Sequence, residues 1–168
     1  TINPRQLLLT QPALSAGVDI SGWGITSTLT NMECFADGSA MATYDFSSWV
    51  PSGVENWAFA FANKSVLTQV TPATASNSLY NTETMFGMFA NCRLPRGFSL
   101  GDKFDTSAVI DMHEMFKACI MSEEFSLGAK FNTSSVENMS AMFNVCTLPE
   151  GFSLGNNFDT SRVSNMSA

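Results

Sequence analysis

The chain has 168 residues, of which 45% are apolar and only 14% charged, with a net charge of −7. That balance excludes intrinsic disorder, which needs low hydrophobicity with high net charge, and it excludes a phosphate-binding surface, so no nucleic acid is expected as a partner. No run approaches the ~18–20 apolar residues of a membrane span, since LLLTQPAL (7–14) is short and broken by Gln11 and Pro12. In chain order, residues 1–17 fit no pattern and are read as an N-terminal segment or cap. From 18 to 168 one phrase recurs. VDISGWGITSTLTNMECF (18–35) and YDFSSWVPSGVENWAFAF (44–61) carry it loosely, and residues 71–97 have lost its first half but keep MFGMFANC. FSLGDKFDTSAVIDMHEMFKAC (98–119), FSLGAKFNTSSVENMSAMFNVC (125–146) and FSLGNNFDTSRVSNMSA (152–168) carry it closely. The span reads as about five full repeats and one truncated repeat of 27 residues. A fixed period in this range implies stacked supersecondary units.

One unit has its own grammar. Phe98-Ser99-Leu100 alternates as a short strand does, and Gly101, Gly128 and Gly155 follow at the bend. Phe104, Phe131 and Phe158 then return to the core. Ser107, Ser134 and Ser161 read as helix caps, followed by Val109, Met112, Met115, Phe116 and Cys119 on one face. This spacing predicts helices over 108–118 and 135–145. Phe35, Phe61, Phe89, Phe116 and Phe143 are read as one equivalent position, and Trp23 and Trp49 as the counterparts of Phe104 and Phe131. The expected fold class is α/β, a leucine-rich-repeat-like solenoid with short parallel strands on one face and short helices on the other. The wider helical side would curve the array and make the strand face concave.

The phrase F-D-T-S-x-V-x-N-M-S-x-M-F-x-x-C resembles the BspA-type leucine-rich repeat, or DUF285 group, of bacterial surface proteins. It is carried by FDTSAVIDMHEMFKAC (104–119), FNTSSVENMSAMF (131–143) and FDTSRVSNMSA (158–168). The resemblance implies a leucine-rich-repeat-like solenoid in a surface-displayed or secreted protein, with adhesion or host interaction as its role. It brings no catalytic residues, because the motif is structural.

Candidate chemistry is sparse. Cys92, Cys119 and Cys146 recur at the repeat period, with Cys34 just before Phe35. Their spacing lacks the close ligand pairs of a zinc site, so they read as small buried hydrophobes with free thiols. His113, the single histidine, is expected to face solvent. Asp105, Asn132 and Asp159 read as Asx-turns ahead of the -TS- pair rather than as cation ligands. No cofactor, metal or enzymatic activity is expected. The reading is a non-enzymatic, surface-displayed binding or adhesion module, extracellular or at the cell surface, presenting one face to a protein or glycan partner. Its candidate contact stripe is Ser99, Ser126 and Ser153. The alternative is a structural component of a virion, tail fibre or surface lattice, the bare end at Ala168 packing on more chain or on another subunit.

Overall fold

A computed structural model describes residues 29–47, 53–71 and 79–168. Residues 1–17, Trp23 and Trp49, named above, lie outside the described residues. One row of positions organises the rest. Asn31, Asn56, Thr84, Asp111, Asn138 and Asn165 are joined, each to the next, by parallel bridges. Successive copies of the phrase therefore run side by side in the same direction.

The residues after each of these positions obey a single hydrogen-bond rule. Met112, Glu114, Phe116 and Ala118 donate their N–H groups to carbonyls of Asn138, Ser140, Met142 and Asn144 in the next copy. Met115, Lys117 and Cys119, between them, donate back to the carbonyls of Met112, Glu114 and Phe116. Alternate amides thus close tight turns while the others stitch neighbouring copies together. The same alternation runs from Met32 to Ser39, from Trp57 to Asn63 and from Met85 to Asn91.

This pattern overturns the expected helices over 108–118 and 135–145, and with them the α/β leucine-rich-repeat-like solenoid. Among the described residues there is no helix. The regular elements are four short strands, β1 (Thr43–Asp45), β2 (Gln69–Thr71), β3 (Arg93–Leu94) and β4 (Ile120–Met121), in two two-stranded parallel sheets, β1-β2 and β3-β4. The physical reason lies in the backbone. Glu114 (φ 54°) and Ala118 (φ 56°) are left-handed, as are Ala141 (φ 52°) and Val145 (φ 56°) in the next copy. An L-residue in that conformation interrupts a right-handed helix. The apolar spacing misleads because a turn closing over three residues also brings every third or fourth side chain to one side. Met112, Met115, Phe116 and Cys119 are all 0% exposed without any helix to align them.

The core is continuous from copy to copy. Phe61, Phe89, Phe116 and Phe143 form a column of parallel rings with centroid separations of 5.7, 5.5 and 5.5 Å. Phe35 does not join this column by register. Phe35 N–H donates to the Met32 carbonyl as Ala60 N–H does to the Trp57 carbonyl, so Phe35 is the counterpart of Ala60. Its ring still lies 6.3 Å from that of Tyr44 and 6.4 Å from that of Phe61. Trp57 takes the inward place that Met32, Met85, Met112 and Met139 take elsewhere. Phe104 and Phe131 are buried, as are Phe98 and Phe125, whose rings lie 6.3 Å apart and 5° from parallel.

Candidate functional site

The serine stripe is built by the segment that begins at Phe98. Ser99 and Ser126 pair in a parallel bridge, with Leu100 N–H donating to the Ser126 carbonyl and Ser126 N–H to that of Phe98. Ser153 is exposed like the other two, but no bridge joins it to Ser126 among the described residues. Each hydroxyl has a local task. The Oγ atoms of Ser99, Ser126 and Ser153 accept the N–H of Gly101, Gly128 and Gly155 at 3.0, 3.1 and 3.1 Å. The turn so formed suits glycine alone at its centre copy: Gly128 has φ +84°, and a Cβ there would lie 2.4 Å from the Gly101 carbonyl oxygen. The serines are therefore turn locks whose hydroxyl protons remain available at the surface.

Asp105, Asn132 and Asp159 make the Asx-turns read from the sequence. Their Oδ1 atoms accept the N–H of Ser107, Ser134 and Ser161 at 3.0, 2.9 and 2.8 Å. The Ser161 N–H holds the Asp159 carboxyl below the usual aspartate range. The serines expected as helix caps are instead the backbone donors of these turns, and no helix follows them among the described residues. A second ladder of such turns escaped the sequence reading. Asn31, Asn56, Asp111, Asn138 and Asn165 each accept, through Oδ1, the N–H two residues on, and the Thr84 hydroxyl does the same for Phe86. The signal was present as a recurring Asn, Asp or Thr before the inward Met or Trp.

The thiols stand in a column. Cys92, Cys119 and Cys146 donate through Sγ to the carbonyls of Phe61, Phe89 and Phe116 at 3.0, 2.9 and 2.8 Å. Burial pushes the Cys92 thiol up to about 12 and raises those of Cys119 and Cys146 as well. Protonated and hydrogen-bonded, they are poor nucleophiles and poor ligands. Cys34 lies in a different place, at a left-handed position (φ 54°) equivalent to Phe59 and Gly87.

Two further side chains stand apart from these ladders. His113 is half-buried rather than solvated. Its Nδ1 lies 2.7 Å from Asp111 Oδ1, and its ring stacks on Phe86 at 3.6 Å. Lys64 occupies the place that cysteine takes in the later copies, following Asn63 as Cys92 follows Asn91. It is 1% exposed. Its Nζ donates to the Ser39 carbonyl, to Ser39 Oγ at 2.7 Å and to Tyr44 Oη at 2.7 Å. Ser39 Oγ and Tyr44 Oη also bond each other. Burial lowers the Lys64 ammonium to about 8 and raises the Tyr44 phenol to about 12.

A family model described as "Mycoplasma protein of unknown function, DUF285" matches residues 10–96 and again 83–168. The chain belongs to the DUF285 family. No curated protein and no solved structure matches it. The two matches together span the divergent copies as well as the regular ones, so the DUF285 pattern covers the segment that holds Lys64. The Phe61–Phe89 register already sets Lys64 in line with Cys92, each three residues on, so the signal available in the sequence was a charged residue in a core column.

Among the described residues no helix is long and apolar enough to cross a membrane, and no cluster of three or more His, Cys, Asp or Glu side chains is arranged to hold a metal ion.

Proposed function

We propose that this protein is a non-enzymatic binding module, displayed at a cell surface, that presents ladders of outward side chains to a protein or glycan. One observation carries the reading. Glu55, Glu83, Ile110, Glu137 and Ser164 are exposed in consecutive copies. Each one after Glu55 donates its N–H to the carbonyl of the one before it, from Glu83 to Glu55 through to Ser164 and Glu137. Position along the ladder is thereby held by backbone bonds while the chemistry changes from acid to apolar to hydroxyl. Packing occupies the inward Val, Met, Phe and Cys positions, which leaves recognition to such outward rows. The resemblance of the phrase to surface-protein repeats supports the location.

The serine row Ser99, Ser126 and Ser153 is proposed as the contact stripe. It is small and uncharged, so affinity would come from shape and hydrogen bonds rather than from charge steering. The test is a screen of immobilised glycans and extracellular glycoproteins, repeated between about 50 and about 300 mM salt. Saturable binding with little salt dependence is expected, lost on changing the three serines together to Arg. Because each hydroxyl also holds a glycine N–H, the folding midpoint is measured alongside. A lowered midpoint calls for Ser→Asn instead, which keeps an acceptor for that amide. Binding that survives both triple changes would remove the stripe from the site.

A further inference from the structure

The cluster around Lys64 has the parts of an activated nucleophile. A serine hydroxyl becomes reactive when a base lies within hydrogen-bond reach and a third group orients that base. Here Ser39 Oγ and Lys64 Nζ are 2.7 Å apart, and the amine is held by Tyr44 Oη at 2.7 Å and by the Ser39 carbonyl. The lysine is buried and so is Tyr44, at 1% and 0% exposure, whereas Ser39 is only partly covered and Ala40 beside it is exposed. The base is thus shielded from water while its hydroxyl partner can meet a reagent. The backbone also fits. Ala40 N–H, next after the nucleophile, donates no backbone hydrogen bond among the described residues.

We propose that Ser39 is an acyl-acceptor site, with Lys64 as its general base and Tyr44 as the residue that positions the lysine. The acyl donor is an activated ester or thioester. In the step, neutral Lys64 takes the Ser39 hydroxyl proton as Oγ attacks the carbonyl carbon. A new ester C–O bond forms, the bond to the alkoxide or thiolate leaving group breaks, and the proton passes from Lys64 to that group. No oxidant or further reactant is needed. Burial favours the neutral amine, with the ammonium lowered to about 8, so the base is present in useful amount near neutrality. The proposal is independent of the serine stripe and would give a binding module a means of covalent capture.

The experiment uses the full chain and p-nitrophenyl acetate, with the acetylated residue located by peptide mass mapping. Ser65 is the internal control, since it follows the lysine directly in the chain and is exposed. Ser39 is expected to gain one acetyl group at least ~100-fold faster than Ser65. The rate should rise with pH with a midpoint near 8, where Lys64 loses its proton. Lys64→Met, which keeps the side-chain length, should lower the Ser39 rate by about 100-fold or more, while the glycan and protein binding assay stays unchanged. If Lys64→Met fails to fold, the Ser39-to-Ser65 ratio and the pH midpoint in the unmodified chain decide. Equal labelling of Ser39 and Ser65, or a rate indifferent to Lys64→Met in the folded variant, would overturn the proposal and leave the cluster a structural tie.

Discussion

The copies before and after residue 79 treat the same core column in opposite ways. In the later copies Cys92, Cys119 and Cys146 each direct a single weak donor to the carbonyl of a phenylalanine in the preceding copy. In the earlier ones Lys64 brings an ammonium into that column and needs Ser39 and Tyr44 to satisfy it. A thiol is nearly apolar and asks for little when buried. An ammonium asks for several acceptors and still loses part of its charge preference to desolvation. The difference teaches that this backbone can hold an ionisable group in its interior, provided that two further side chains are dedicated to it.

The largest test of the regular half is Phe116→Ala. Its ring is 0% exposed and sandwiched between Phe89 and Phe143, at 5.5 Å from each. Truncation should lower the unfolding free energy in urea by about 3–5 kcal/mol. A loss below about 1 kcal/mol would mean that the ring column is not the core of the later copies.

The lysine and the cysteines that fill this column should also respond to pH with opposite signs. For Lys64 the folded value of about 8 lies below the ordinary 10.5. Between those limits the unfolded chain binds more protons, so stability rises with pH through that window, by up to about 3 kcal/mol in all. Below about 8 the burial cost is present in full. For Cys92 the folded value of about 12 lies above the ordinary 9.0. Above pH 9 the unfolded chain alone ionises there, so stability falls, and Cys119, Cys146 and Tyr44 act in the same direction from their own ordinary values. Urea midpoints should therefore rise slightly from pH 8 to 9 and then decline. Lys64→Met should abolish the rise, and Cys92→Ala should soften the decline. A flat profile in both variants and in the unmodified chain would show that neither column titrates on unfolding.

A smaller effect probes the junction between the halves. Gly87 has φ +55°, and a Cβ there would lie 2.4 Å from the ring of Phe59, which packs over it and meets Phe86 at 4.4 Å. Gly87→Ala should cost about 2 kcal/mol through overpacking and backbone strain. Adding Phe59→Ala should return about half of that, since it removes the clash and leaves the strain. Simple additivity in this double-mutant cycle would place the ring elsewhere.

The smallest effect is a gain. Val145 is 77% exposed and β-branched at φ 56°, where the equivalent places hold Gly38, Asn63, Asn91 and Ala118. Val145→Gly should raise stability by about 1 kcal/mol by relieving the left-handed strain. A lower melting temperature would show that the valine side chain packs more than its exposure suggests.

Much of the inventory was readable from residues alone, because it depends on local chemistry. The inward places of Met112, Met115 and Phe116 follow from their apolar period, and the Asx-turns at Asp105, Asn132 and Asp159 follow from a side-chain acceptor placed two residues before an amide. The recurrence of the phrase itself needed no structure. What local pattern could not supply was the destination of the backbone hydrogen bonds. A helix and a run of tight turns place apolar side chains at the same three- and four-residue intervals, and they differ only in whether amides such as that of Glu114 bond within the copy or to Ser140 in the next. That choice is tertiary, since it exists only once a neighbouring copy lies alongside. The Lys64 cluster is tertiary for the same reason: Ser39 and Tyr44 stand 25 and 20 residues from the lysine, and only the pairing of adjacent copies closes the distance.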